Sequence, residues 1–236
     1  MKLSGYQAGP RWQGTRINAA LIVSYLDASA ETVLDVGSNE GVITCAMAMA
    51  GTKAKGLEVN AKYVTRAKTL AKQLKCDASF EHREVSLNEI EDGAEYDVVS
   101  FLSVHHQIAA SSGLETANRF ALSLAQKARK QFFFQPACIR AKYGSNFPNV
   151  DENDIGGFVE YFREIIGAEM EFCSVIGLAQ NDMPKNEPLR PMMLFSRNPI
   201  SMNGSDCAPS TLLKLEAGLL KTSRLASISK LLSKPS

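Results

Sequence analysis

Short apolar runs alternate along the chain with segments of helical hydrophobic spacing. Residues 33–36, 96–102 and 131–136 are mostly apolar, without strict alternation, as expected of strands buried on both faces of a parallel sheet; Pro136 stops the third. Residues 53–60 and 78–85 read as shorter strands, and 171–178 and 191–197 as a closing pair joined by a polar loop over 180–189. Between them lie predicted helices over 42–49, 61–75, 114–130 and 154–166. The last is capped by Asp154 and carries Phe158, Phe162 and Ile165 on one face. An N-terminal helix to about residue 26 has Ile17, Leu21 and Tyr25 at i, i+4 spacing, a stripe expected to pack on the sheet. Residues 89–95 read as an acidic turn, and 137–153 as a long irregular segment with Arg140, Lys142, Tyr143, Asn146 and Phe147, placed to act as an acceptor-binding lid. Strand alternating with helix predicts an α/β, doubly wound, mostly parallel sheet.

The most informative segment is Thr32-Val33-Leu34-Asp35-Val36-Gly37-Ser38-Asn39-Glu40-Gly41. A strand, a glycine turn and a helix present a ligand site at the strand's carboxyl end. The order is D-x-G-x-x-x-G rather than the G-x-G-x-x-G of dinucleotide folds. An acid at Asp35 would repel a pyrophosphate and suit an ammonium group; a plain strand-to-helix turn is the other reading. Glu58 ends the second strand about twenty residues after the first, the offset at which a carboxylate accepts both ribose hydroxyls.

Asp35, Gly37, Gly41 and Glu58 at these offsets resemble motif I and the following acid of the class I S-adenosylmethionine-dependent methyltransferases, in their small-molecule branch. The resemblance covers residues 31–135 by motif and 154–198 by element order. It implies a Rossmann-like, seven-stranded sheet closed by an antiparallel hairpin, with S-adenosylmethionine as cofactor. It also implies cofactor contacts from Asp35, Gly37, Ser38, Asn39, Gly41, Glu58, Glu84, Val85 and Leu102. Glu84 stands where the family often carries an Asp against the adenine amino group, and a solvated turn acid is the alternative. His105 and His106 follow the fourth strand, where the family brings its acceptor to the methyl group. Either is a candidate base, His106 first, and pocket closure is the competing role. No metal site is expected, since adjacent histidines seldom converge on one ion and no third ligand accompanies them. Tyr6, Trp12 or Arg16 would cap the cofactor pocket, or simply pack. A D/N-P-P-Y/F/W signature is absent, which directs the expectation to O-methylation of a small molecule or sugar; an RNA methyltransferase and a non-catalytic cofactor-binding partner subunit are the alternatives.

Composition changes this picture little. The 236 residues carry a net charge of +1 and are 45% hydrophobic, ordinary globular values. The five cysteines are scattered without a CxxC pair, so neither zinc nor a disulfide framework is expected. The first residues lack an apolar signal core and no run is long enough to span a bilayer, so a cytoplasmic setting is expected. The organisation read from the sequence is a lead-in and helix over 1–30, the cofactor domain over 31–198 and a basic amphipathic tail over 199–236. That tail, with Leu212, Leu215, Leu219, Leu225, Ile228 and Leu232 among five basic residues and Glu216, would lie on anionic lipid, touch RNA, or dock on its own domain or a second subunit.

Overall fold

The computed structural model describes residues 10–136, 155–179 and 190–202. The acceptor-lid segment, the Asp154 cap, the polar loop over 180–189, Tyr6, the Trp12 side chain and the tail from residue 203 lie outside the described residues.

The elements run α1 (Pro10–Tyr25), β1 (Thr32–Val36), α2 (Val42–Met49), β2 (Lys53–Glu58), α3 (Ala61–Leu74), β3 (Ala78–His82), α4 (Leu87–Glu91), β4 (Tyr96–Leu102), α5 (His105–Ser112), α6 (Leu114–Gln126), β5 (Ala128–Gln135), α7 (Ile155–Ile166), β6 (Phe172–Ala179) and β7 (Arg190–Ser196). The seven strands form one sheet in the order β3-β2-β1-β4-β5-β7-β6. The first five are parallel, β7 lies antiparallel to β5, and β6 pairs antiparallel with β7. This is the doubly wound sheet with a closing hairpin that the sequence predicts.

Strand alternation distributes the core to two faces. On β4, β5 and β7, Val98, Phe133 and Leu194 turn toward α1 and α2, joined there by Ile22, Leu26 and Met47. Their neighbours Val99, Phe101, Phe132, Phe134 and Phe195 turn toward α6 and α7, meeting Phe120, Leu124, Phe158 and Phe162. At the amino edge of the sheet, Asp97 clamps the entry of β1: its Oδ2 accepts from the Glu31 and Thr32 amides at 2.9 and 3.0 Å.

Several local expectations are corrected. The buried stripe of α1 is Asn18/Ala19 and Ile22/Val23, continued by Leu26 just past its end, whereas Ile17 is 56% exposed and Leu21 and Tyr25 pack at the margin, partly buried. The helix packs on α2 as well as the sheet, with Ala19 and Val23 joining the α2–α3 cluster, so its inner face is centred one residue on from the apolar triplet. β3 stops at His82, which leaves Glu84 exposed in the following coil. The acidic turn contains a short helix, α4, held by a reciprocal cap between Ser86 and Glu89. The helix read to residue 130 ends at Gln126, because Ala128–Lys130 already belong to β5, where Arg129 pairs with Asp97. The two histidines expected in a loop are the first residues of α5.

Candidate functional site

The site is built at the carboxyl edge of β1, β2 and β4. Gly37, Asn39 and Gly41 have φ of 80°, 51° and 81°, so the chain enters the left-handed region at every second residue and coils into a tight turn. Gly37 is required twice over: a Cβ there would lie 2.2 Å from Val104 Cγ2, in the segment after β4. That contact joins the turn to the β4 loop. A Cβ on Gly41 would meet Phe80 and Ala67 at 2.6–2.7 Å, so this glycine lets α2 seat against β3 and α3.

Each amide of the turn has an internal acceptor. Gly37 and Ser38 donate to Leu57 O at 2.9 and 3.0 Å, Gly41 to Ser38 O at 2.9 Å, and Glu40 to Asn39 Oδ1 at 2.8 Å. Asn39 donates to Glu58 Oε2 at 2.8 Å. A pyrophosphate cradle needs such amides turned outward; here those of Gly37, Ser38 and Asn39 hold the turn to β2, and those of Glu40 and Gly41 close the turn on itself.

Glu58 is the pivot. The end of β2 brings its carboxylate to 8% exposure, where Oε2 takes the Asn39 amide and Oε1 the Asn60 amide, both at 2.8 Å. Asn60 in turn caps α3 through the Lys62 amide. A carboxylate offers about four lone-pair sites, so the two amides leave acceptor capacity at the sheet edge for a diol.

Asp35 sits one layer lower than expected of a ligand contact. It is 3% exposed on the α2 side of β1, with Thr44 Oγ1 donating to Oδ2 at 2.5 Å and Ser100 Oγ to Oδ1 at 2.6 Å. Burial pushes its carboxyl above the usual range; the Ser100 and Thr44 hydroxyls pull it back, and the Glu58 charge adds to the rise. Ser38 is buried over β2, where a Cβ on Gly56 would lie 2.7 Å from Ser38 Oγ. Glycine at 56 therefore admits the turn, a role the strand-like pattern of β2 does not signal.

The two histidines part company. His105 is fully buried between Phe134 and Phe162, edge-on to both at centroid distances of 5.6 and 5.3 Å. Its Nε2 lies 3.0 Å from Asn118 Oδ1, and Asn118 Nδ2 donates to Tyr161 Oη at 2.6 Å. With the Asn118 amide oriented so that its nitrogen serves Tyr161, the imidazole donates from Nε2 to Oδ1. Burial lowers it to about 4, against a smaller upward pull from the Asn118 bond. His105 is thus a core residue tying α5 to α6 and α7. His106, also buried, is the second residue of α5, in its first turn just after β4. Leu102 is half-buried at the end of β4, and Val85 packs against the α6–α7 core. Glu84 and Arg16 are exposed.

Sequence reasoning missed Asn18, Ser103 and Gln135, which meet beside this edge. Ser103 follows β4 with φ 60°, a conformation that costs a non-glycine residue energy and concentrates at functional sites. Among the described residues no helix is long and apolar enough to cross a membrane, and no cluster of three metal-ligating side chains occurs.

No family model and no curated protein sequence matches the chain. Solved structures do. The bifunctional kinase-methyltransferase WbdD superposes with TM-score 0.65 at 21% identity, over 84% of this chain and 44% of that one, so this chain spans less than half of its length. Magnesium protoporphyrin IX methyltransferase (ChlM) from Synechocystis PCC 6803 with bound SAM gives 0.60 at 17% identity, over 84% of this chain and 86% of that one. EvdMO1 gives 0.55 at 13% identity over 83% of this chain. The chain has the fold of the class I S-adenosylmethionine-dependent methyltransferases.

Proposed function

We propose that the protein binds S-adenosylmethionine and methylates a hydroxyl of a small molecule or sugar. The observation that carries the reading is the Glu58 carboxylate, fixed at the end of β2 by two backbone amides with acceptor capacity to spare, beside a turn whose own amides are consumed. That pairing suits a nucleoside diol. The cofactor, when bound, supplies an activated sulfonium methyl. Glu58 would accept from the ribose hydroxyls, and the Gly37–Gly41 turn would let the amino-acid portion approach the backbone. Asp35, held by Thr44 and Ser100, would set the local negative potential for the ammonium from below the turn rather than by direct contact.

An acceptor hydroxyl must lose its proton as the carbon–oxygen bond forms. His106, in the first turn of α5, is the residue proposed to take it; His105, sunk in the core with a depressed pKa, is not. Alignment of acceptor and methyl supplies the larger part of such catalysis.

The test is calorimetric titration with S-adenosylhomocysteine and with NAD, followed by transfer of labelled methyl to a panel of sugars, polyols and RNA. Saturable binding of the first ligand alone is expected, with label in a neutral hydroxylated acceptor. NAD binding without S-adenosylhomocysteine binding refutes the reading, and label recovered only in RNA refutes the small-molecule acceptor.

A further inference from the structure

Strand β5 presents two glutamines, four residues apart, to the same face as α1, and they are used differently. Gln131 is complete: its Oε1 accepts the Asp27 amide and its Nε2 donates to Tyr25 O, both at 2.8 Å. It closes the carboxyl end of α1 on the sheet. Gln135, the last residue of β5, is 1% exposed and half used. Its Oε1 accepts from Asn18 Nδ2 at 3.2 Å and from Ser103 Oγ at 3.3 Å, while its Nε2 has no partner. Asn18 mirrors it: Nδ2 is engaged and the buried Oδ1 is unpartnered. Rotating both amides by half a turn moves the unused donor to Asn18 and the unused acceptor to Gln135; one of each persists.

Buried polar atoms left unpaired destabilise the fold, because each gives up its hydrogen bond to water. Stapling α1 to the sheet does not require that cost, as Gln131 demonstrates on the same strand. The position of the pair is also specific. Ser103 binds Gln135 through both backbone and side chain, its amide donating to Gln135 O at 2.8 Å. The next residue, Val104, is the one packed on Gly37 of the turn. The unused donor and acceptor therefore lie on the β4–β5 side of the cofactor turn.

We infer that Asn18, Ser103 and Gln135 form a recognition site for a hydroxyl of the methyl acceptor, selecting a neutral polyol or sugar. A hydroxyl both donates and accepts, and so offers what each of the two atoms lacks. A carboxylate would face Asn18 Oδ1 with no proton to give, and an ammonium would leave Gln135 Nε2 unpaired. The inference rests on the methyltransferase reading for the identity of the acceptor, whereas the hydroxyl preference rests on the amides alone. These are positioning residues; they hold the acceptor and do not take its proton.

The experiment is a titration followed through the side-chain amide resonances of Asn18 and Gln135 in nitrogen-15 spectra, assigned with Asn18→Leu and Gln135→Met. Probes are methyl β-D-glucopyranoside and glycerol, with acetate and methylammonium as charged controls, each with and without S-adenosylhomocysteine. The expected result is a saturable shift of both amides with the hydroxyl probes only, lost in either variant. S-adenosylhomocysteine affinity should stay within about twofold of wild type in both variants. The variants leave the wild-type titration decisive if they fail to fold. No response to the hydroxyl probes overturns the inference and makes the pair a helix staple around a trapped water. An equal response to acetate or methylammonium, or a shift produced by S-adenosylhomocysteine alone, overturns it as well. Failure of S-adenosylhomocysteine to bind wild-type protein would refute the methyltransferase reading separately, since the sugar titration is read without it.

Discussion

His105 makes a measurable commitment about acid stability. Its imidazole is held at about 4 in the folded protein and returns to about 6.5 when the chain unfolds. Between those values the unfolded state takes up a proton that the folded state refuses, so stability rises with pH through the window and is lost as pH falls through it. The full difference corresponds to on the order of 3 kcal/mol below pH 4, and to roughly 2 kcal/mol already at pH 5. Other groups titrate in the same range, so the quantity to read is a difference of differences. Urea unfolding of wild type and His105→Leu is compared at pH 7.5 and pH 5. The variant is less stable at both, because Asn118 Oδ1 loses its donor, but it should lose about 2 kcal/mol less than wild type between the two. Equal losses, or a His105 ring resonance that titrates near 6.5, would refute the placement of this histidine between Phe134 and Phe162. The same measurement bears on chemistry, since an imidazole that resists protonation to this degree is a poor general base.

The remaining predictions concern the cofactor edge. Glu58→Ala should weaken S-adenosylhomocysteine binding roughly ten- to hundred-fold by calorimetry, from the loss of one or two hydrogen bonds to a charged acceptor. It should also lower stability, since the Asn39 and Asn60 amides lose their acceptor; unchanged affinity would place the ribose elsewhere. Asp35→Asn keeps the shape between Thr44 and Ser100 and removes a buried charge. Because the Asp35 carboxyl is raised above 3.8 in the fold, wild-type stability relative to the variant should fall as pH rises through its folded value. Denaturation should therefore find the variant at least as stable at pH 7.5, while calorimetry finds weaker cofactor binding; intact affinity would remove Asp35 from the site. Gly37→Ala should cost roughly 2–4 kcal/mol in thermal unfolding, combining left-handed strain with the Val104 clash. Adding Val104→Ala should recover the steric part only, and full recovery would contradict the φ argument.

Local rules determined much of this protein from the sequence alone. The apolar run over 33–36, the glycine turn and the acid ending β2 follow from backbone permissiveness and strand length, which neighbouring residues set, and so the architecture and the cofactor edge were legible. What tertiary structure decided is which way particular side chains face. Ile17, Leu21 and Tyr25 form a proper helical stripe, yet α1 is rotated because α2 and the sheet together offer a wider face, and that rotation carries Asn18 inward. His105 and His106 are adjacent and chemically identical in the sequence. They separate because α5 starts at His105, so successive side chains diverge around the helix and the first enters the cage of Phe134, Phe162 and Asn118. Asp35 reads as a ligand contact from its place in the motif, and the Thr44 and Ser100 hydroxyls that bind it, from another helix and another strand, are not signalled by that motif. The Asn18–Ser103–Gln135 cluster joins residues up to 117 positions apart. No periodicity reports a contact of that separation, because it is made by the crossing of a helix over a strand end and not by either element itself.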